Sequence, residues 1–252
     1  MIGVFDSGVG GLSVLTEIRT ALPQADLLYV ADRARAPYGP RSLDEVEAIA
    51  LEVTGWLADR GSTCVVVACN TASAAALESI RGRFPGIPIV GMEPAVKPAS
   101  LASKSRRVAV LATAATFQGR LFESAVSRFA AGVEVTTRAC PEWVQLVEEG
   151  EVKGRRAEAV VEGVIRPIEE KGVDVVALAC THFSFLRPLI QSLSGLEVID
   201  PAPAVAAQTR RIAPDQEGRG ELVLAASGDA AEFARLAGAL ASIAAPVIPF
   251  AP

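Results

Sequence analysis

The sequence predicts an α/β protein made of two pseudo-twofold-related domains, each an open parallel sheet covered by helices, with a ligand crevice between them. Three observations carry this. Half of the 252 residues are hydrophobic but few are aromatic, and the apolar content is mainly Ala, Val, Leu and Ile, which fills parallel strands and the helices over them. The stretch Asp59 to Thr71, DRGSTCVVVACNT, returns as Glu170 to His182, EKGVDVVALACTH, with Gly61 and Gly172 preceding Cys69 and Cys180 by the same interval. Finally, Pro94-Ala95-Val96 after one apolar run is matched in order by Pro203-Ala204-Val205 after another. The duplication favours two domains in a chain long enough to bury a sizeable core.

Taken in order, Ile2 to Phe5 reads as a strand. It breaks into Asp6-Ser7-Gly8-Val9-Gly10-Gly11, and Leu12, Leu15, Ile18 and Leu22 then follow at helical spacing up to Pro23. Leu27 to Ala31 is a second strand. Asp32 to Pro40 is a loop, closed by Ser42 and Glu45 in capping-box register before a long helix. Thr63 to Ala68 is a strand buried on both faces, with Cys69-Asn70-Thr71 at its carboxyl end where a new helix begins. Ile87 to Val90 is a fourth strand, and the polar, basic Ser100 to Arg106 reads as a linker.

The second unit starts at Val108 to Ala112, and Thr113-Ala114-Ala115-Thr116 stands where the Asp6-Ser7 loop stood in the first. A strand at Val133 to Ala139, helices from about Trp143 to Lys171, the strand Val173 to Ala179 and a helix from Phe183 complete it. After Gln216 to Gly220, a strand at Leu222 to Ala225 and a helix at Asp229 to Leu240 have no counterpart in the second unit. They are expected to return to the first. The expected domains are 1–96 with 206–252, and 97–205.

The net charge of −5 and the scattered Lys and Arg give no footprint for nucleic acid. The chain runs from Met1 straight into an apolar strand, without a basic leader or cleavage site, and no apolar run approaches the ~18 residues of a membrane span. No membrane association is expected, and the cytoplasm is the expected location. Cys64, Cys69, Cys140 and Cys180 lack CxxC spacing, so free thiols in a reducing compartment are expected, without a disulfide.

A lone cysteine ending an apolar strand is usually structural, and Cys64 and Cys140 stay in that class. Cys69 and Cys180 sit at symmetric strand ends, beside expected helix N-termini at Thr71 and Phe183 that favour thiolate. Asp6 can exchange a proton with Cys69. His182, the single histidine, can do so with Cys180. A zinc set of Cys69, Cys180, His182 and Asp6 is disfavoured because local ligand pairs are absent, and no metal is expected. The glycine loop is a near miss to a dinucleotide fingerprint with Asp32 as ribose acid. Its third glycine is replaced by Ser13, and Asp6 would face a pyrophosphate with like charge. A backbone cradle for a small carboxylate remains open. Two thiols facing each other across a crevice lined by Ser7, Asn70, Thr71, Thr113, Thr116 and Thr181 suit inversion at a carbon acid, which needs a base on one face and an acid on the other.

The blocks Asp6 to Ser13, Pro37-Tyr38-Gly39 with Arg41-Ser42, Ala68 to Ala72, Cys180-Thr181-His182, Leu186 to Leu189 and Ser227-Gly228-Asp229 resemble the glutamate racemases of the aspartate/glutamate racemase superfamily from end to end. The resemblance implies interconversion of L- and D-glutamate without pyridoxal phosphate, metal or other cofactor, supplying D-glutamate for peptidoglycan. It implies that Cys69 deprotonates the D-isomer and Cys180 the L-isomer, assisted by Asp6 and His182. Ser7, Tyr38, Gly39, Asn70, Thr71 and Thr181 would hold the substrate's amino and carboxylate groups. Thr113 and Thr116 match substrate-side threonines, and Glu148 matches a glutamate near the histidine. Ala179, Phe183-Ser184, Pro201 and Gly119 depart from the pattern and are expected to crowd the side of the second cysteine. No N-terminal extension of the kind found in precursor-activated members is present, so no such activation is expected. A homodimer is an open assembly state. The competing readings are an aspartate or hydantoin racemase of the same fold, and a non-catalytic dinucleotide-binding module.

Overall fold

The computed structural model describes residues 1–214 and 217–251. Asp215, Gln216 and Pro252, which fall within the expected 206–252 segment, lie outside the described residues. The first unit runs β1 (Ile2–Asp6), α1 (Leu12–Ala21), β2 (Leu27–Ala31), α2 (Leu43–Asp59), β3 (Cys64–Val67), α3 (Asn70–Arg83), β4 (Ile89–Gly91) and α4 (Val96–Ala102). A short 3-10 turn, Arg33–Arg35, follows β2. The second unit runs β5 (Arg107–Ala112), α5 (Ala114–Gln118), α6 (Arg120–Phe129), β6 (Glu134–Ala139), α7 (Pro141–Glu148), α8 (Arg155–Glu170), β7 (Val175–Ala179), a 3-10 turn at Thr181–Leu186, α9 (Arg187–Leu193), β8 (Glu197–Ile199) and α10 (Ala202–Ile212). The tail adds β9 (Leu222–Ala226), α11 (Ala230–Ala241) and β10 (Val247–Pro249).

The strands form two sheets, in the orders β10-β9-β2-β1-β3-β4 and β6-β5-β7-β8, and every pairing is parallel. The order β2-β1-β3-β4 is the order β6-β5-β7-β8, which is the duplication visible in the sequence. The tail joins the first sheet through β9 on β2. Side chains alternate across each strand: Cys64, Val66 and Ala68 enter one core cluster, while Val65, Val67 and Cys69 enter another. Among the described residues no helix is long and apolar enough to cross a membrane.

The two units exchange helices. Helix α4 follows the first sheet but packs on α6, β5 and β7 of the second; α10 follows the second sheet but packs on α1 and β4 of the first. This is why Pro94-Ala95-Val96 and Pro203-Ala204-Val205 echo each other: each leads into a helix that crosses to the other sheet. The stretch read as a linker is therefore partly helical, and its turn is pinned from the second sheet. The Asp174 carboxylate accepts from Ser103 Oγ at 2.6 Å and from the Lys104 and Ser105 amides at 2.7 and 2.8 Å. The long α2 begins with the predicted capping box, Ser42 with Glu45.

Because all strands in a unit are parallel, their carboxyl ends share one edge of each sheet. Asp6, Asp32 and Cys69 come to the edge of the first, and Thr113, Cys140 and Cys180 to the edge of the second. Open α/β sheets bind ligands at these edges.

Candidate active site

Cys69 is the N-cap of α3, and its Sγ accepts the Ala72 amide at 3.5 Å. The helix begins at Asn70, one residue before the sequence expectation, a shift within the usual uncertainty of helix ends. Burial, joined by the nearby Asp6 charge, pushes the Cys69 thiol up to about 12, against the Ala72 N–H and the Ser7 hydroxyl. Asp6 does not reach the sulfur directly. Ser7 stands between them, with its Oγ 4.0 Å from Cys69 Sγ and 3.5 Å from Asp6 Oδ1. The other oxygen of Asp6 accepts Thr181 Oγ1 of the second unit at 3.0 Å, and Oδ1 accepts the Gly8 amide at 2.9 Å. Burial holds the Asp6 carboxyl above the usual carboxylate range despite His182 and these donors.

Cys180 has different support. No α-helix starts at Phe183; Thr181–Leu186 winds as a 3-10 turn, which sets His182 back against its own motif. His182 Nδ1 lies 3.6 Å from Cys180 Sγ, and Nε2 lies 2.8 Å from Glu148 Oε1. Burial disfavours charge on the imidazole, but the contacts with Cys180 and Glu148 outweigh it and raise the His182 pKa well above its usual value. Glu148 ends α7, and its Oε1 also accepts the Val9 amide at 2.8 Å. Burial alone would raise this carboxyl; the hydrogen bond and charge of His182, with Val9 and Arg33, lower it instead. Phe183, buried edge-on to Trp143 of α7 with ring centroids 5.1 Å apart, fastens the turn to the helix that carries Glu148.

The glycine loop serves this arrangement. A Cβ at Gly8 would collide with the Glu148 carboxylate, and one at Gly10 with the His182 ring. Ser13, where the fingerprint's third glycine would sit, donates to the Gly10 and Thr181 carbonyls at 2.8 and 3.2 Å, tying the loop to the second unit. Asp32 is equally unsuited to a ribose. It is fully buried and accepts Tyr38 OH and Arg35 Nε at 2.6 Å each and Ser227 Oγ at 2.9 Å. The loop geometry thus runs against the dinucleotide reading.

The two thiols open onto one cavity of about 620 Å³. Its lining contains Ser7, Tyr38, Gly39, Cys69, Asn70 and Thr71 from the first unit, and Thr113, Glu148, Cys180, Thr181 and His182 from the second. Asp6 and Thr116 lie buried behind that lining. Thr116 Oγ1 is 2.9 Å from Thr113 and 3.5 Å from Thr71, whose own hydroxyls are 2.9 Å apart, so the three threonines join the walls. A Cβ at Gly39 would sit 3.0 Å from Thr113 Cβ, which explains glycine at that close approach. Asn70 is buried and both its amide atoms lack partners, so it is ready for a polar ligand. Of the departures from the family pattern, Gly119 lies against Ala74 on α3, the helix capped by Cys69, not on the Cys180 side as expected.

Sequence reasoning missed Arg33, Pro141, Val144 and Gln145, which also line the cavity. For three of them a signal existed. Pro141, Val144 and Gln145 precede Glu148 by helical intervals of one face, so placing Glu148 on a helix places them with it. Arg33 carried no such signal. Among the described residues no group of three or more His, Cys, Asp or Glu side chains is arranged to hold a metal ion.

Residues 2–209 match the model of the Asp/Glu/Hydantoin racemase family. A glutamate racemase of Roseiflexus sp. is 46% identical over 244 residues, covering 93% of this chain and 90% of its own. A crystal structure of a glutamate racemase isoform from Bacillus anthracis superposes with a TM-score of 0.89 at 28% identity, covering 100% of this chain and 97% of that one. The glutamate racemase of Francisella tularensis, solved in complex with D-glutamate, superposes with a TM-score of 0.85 at 25% identity, covering 99% and 97%.

Proposed function

The chain belongs to the Asp/Glu/Hydantoin racemase family, and we propose that it interconverts L- and D-glutamate by a two-base reaction at Cys69 and Cys180, supplying D-glutamate for peptidoglycan synthesis in the cytoplasm. The observation that carries the reading is that two cysteines from different sheets open onto one cavity, each with its own proton partner. In the L-to-D direction the Cys180 thiolate takes the α-proton, leaving a planar carbanion whose charge spreads into the carboxylate. The Cys69 thiol then delivers its proton to the opposite face. The D-to-L direction exchanges the roles.

The unequal surroundings support this division. His182, held charged between Cys180 and Glu148, is a donor to a thiolate on its side. Cys69, pushed up to about 12, is suited to keep its proton until a carbanion calls for it. Asn70 offers both amide atoms to the substrate's α-amino and α-carboxylate groups, with Ser7, Thr71 and Thr181 beside it; Tyr38 and Gly39 form the wall toward Thr113. Asp6 acts on Cys69 through Ser7. The cavity carries this chemistry with side chains alone, so the reaction is proposed to need no added cofactor.

The division into 1–96 with 206–252 and 97–205 belongs to the same reading and is supported by sheet membership, with the exchanged helices at its borders. The assembly state stays open between monomer and homodimer, and light scattering decides it. The functional test is polarimetry of purified protein with L-glutamate, set beside aspartate and a hydantoin, with no cofactor added. Glutamate should lose optical activity fastest; activity confined to aspartate or hydantoin would replace the substrate assignment.

A further inference from the structure

Asp32 is fully buried just past β2, and its carboxylate gathers donors from the loop that follows and from the tail. Tyr38 OH and Arg35 Nε donate to Oδ2 at 2.6 Å each, and Ser227 Oγ donates to Oδ1 at 2.9 Å. A buried carboxylate is costly unless it is paired and hydrogen-bonded, and short bonds to an ionised acceptor are the strong ones. Asp32 itself stands outside the cavity lining, whereas Tyr38 is part of it.

We propose that Asp32 is a positioning residue for the reaction: through Tyr38 it fixes the Tyr38-Gly39 wall of the cavity, and through Ser227 it ties that wall to the tail strand, a proposal that rests on the racemase reading above. The wall stands between two fixed points. On one side Gly39 approaches Thr113 so closely that a Cβ would lie 3.0 Å from that side chain. On the other, the buried Tyr38 ring packs in the core cluster that holds Cys69, with its hydroxyl turned to Asp32. Burial, and then the Asp32 charge, push the phenol's pKa up, so it keeps its proton and stays a donor to Asp32. The hydroxyl thus serves the wall and not the carbanion.

The tail is engaged at the same point. Ser227, just past β9, also accepts the Ala34 amide at 2.9 Å through Oγ, and its own amide donates to the Ala31 carbonyl at 3.1 Å. Arg35 continues from Asp32 to Glu52 of α2 at 2.8 Å. One carboxylate therefore joins the loop, the tail and α2. A disturbance at Asp32 or Ser227 reaches the cavity through Tyr38, although neither side chain lines it.

The test measures kcat and KM for both glutamate enantiomers. Misplacing the wall weakens the hold on substrate and leaves the thiols in place, so Asp32→Asn and Tyr38→Phe should each raise KM about tenfold with kcat within about twofold. Both break the same link, so the double variant should lie within about twofold of the worse single one. Ser227→Ala removes the tail's donor without touching the lining and should raise KM about threefold. A merely structural role gives the opposite split, fewer active molecules with a lower apparent kcat and an unchanged KM. That result, or a double variant in which the two effects multiply, overturns the proposal. If Asp32→Asn does not fold, Tyr38→Phe and Ser227→Ala make the same cycle. The chain has two tyrosines, Tyr29 and Tyr38, so fluorine NMR of fluorotyrosine-labelled protein reads the wall without turnover. The Tyr38 resonance, identified by its loss in Tyr38→Phe, should move in Ser227→Ala, and an unmoved resonance overturns the proposal. Should the wild-type protein not turn over glutamate, the racemase reading fails, and the fluorine resonance still decides whether Asp32 and Ser227 position Tyr38.

Discussion

His182 Nε2 lies 2.8 Å from Glu148 Oε1, so the histidine that shares a motif with Cys180 is oriented by a carboxylate 34 residues upstream. The same oxygen accepts the Val9 amide of the glycine loop, which locks the loop of the first unit onto the proton relay of the second. Cys69 has no such triad. It faces a hydroxyl with a buried carboxylate behind it. A duplicated fold has therefore produced two thiols with different proton management, as two mirror-image substrates allow.

Loss of either thiol should stop turnover from both directions. Cys69→Ala and Cys180→Ala are each expected to lower racemisation by at least about a thousandfold, since neither face of the carbanion can be served by the remaining group. Each removes only one buried sulfur, at about 1 kcal/mol, so melting should fall by a few degrees at most. Polarimetry and circular dichroism on the same samples separate the two effects.

Glu148→Gln should change the pH dependence. The folded-state pKa of His182 is raised, so its charge is present below that value and lost as pH rises through it. Removing the Glu148 charge lowers the folded pKa, and the charged range ends at a lower pH. The alkaline limb of kcat/KM for L-glutamate should shift down in pH, with a fall of about ten- to hundredfold near the optimum. A fall in rate with an unmoved limb would mean that Glu148 acts only by packing.

Gly10→Ala tests why the loop carries glycine. The added methyl meets the His182 ring, which cannot retreat without leaving Glu148 or Cys180. A destabilisation of about 1–3 kcal/mol is expected, with a drop in kcat of at least tenfold in the protein that remains folded. Near-wild-type kcat and melting temperature would remove the loop from the relay.

Asp174 should set part of the acid stability. Burial works against its carboxylate, but the donors Ser103, Ser105 and Lys104 prevail and hold its pKa at about 2. A depressed carboxyl contributes stability that is present above its unfolded pKa and lost as pH falls through the folded value. The carboxylate is partly buried at the edge of the solvent, and screening reduces the contribution to about 1 kcal/mol. In Asp174→Asn, urea midpoints should lie below wild type at pH 6 and converge with it between pH 4 and 2.

The strand ends bearing Cys69 and Cys180 were legible because an unbroken apolar run followed by a polar break is a short-range signal, repeated at one spacing. The same holds for the Ser42–Glu45 cap. The exchange of α4 and α10 was visible only as an unexplained echo, since which sheet a helix packs on depends on contacts distant in sequence. The sequence puts Asp6 near Cys69 but does not show Ser7 between them, and the apolar residues after Cys180 do not distinguish a 3-10 from an α spacing over six positions. Arg33 was invisible for a plainer reason. An arginine in a polar loop has no periodicity, and only the cavity it lines and its ion pair with Glu148 single it out.

Proton bookkeeping in D₂O tests the two-base claim most directly. L-glutamate is incubated with enzyme, and both enantiomers are recovered before a tenth of the substrate has turned over, then analysed for α-deuterium. With separate thiols on the two faces, the D-glutamate formed should carry deuterium at the α-carbon while the recovered L-glutamate keeps its protium. D-glutamate that retains the original proton, or deuterium entering both enantiomers equally, would mean that a single group serves both faces, and the pairing of Cys69 with Cys180 would be wrong.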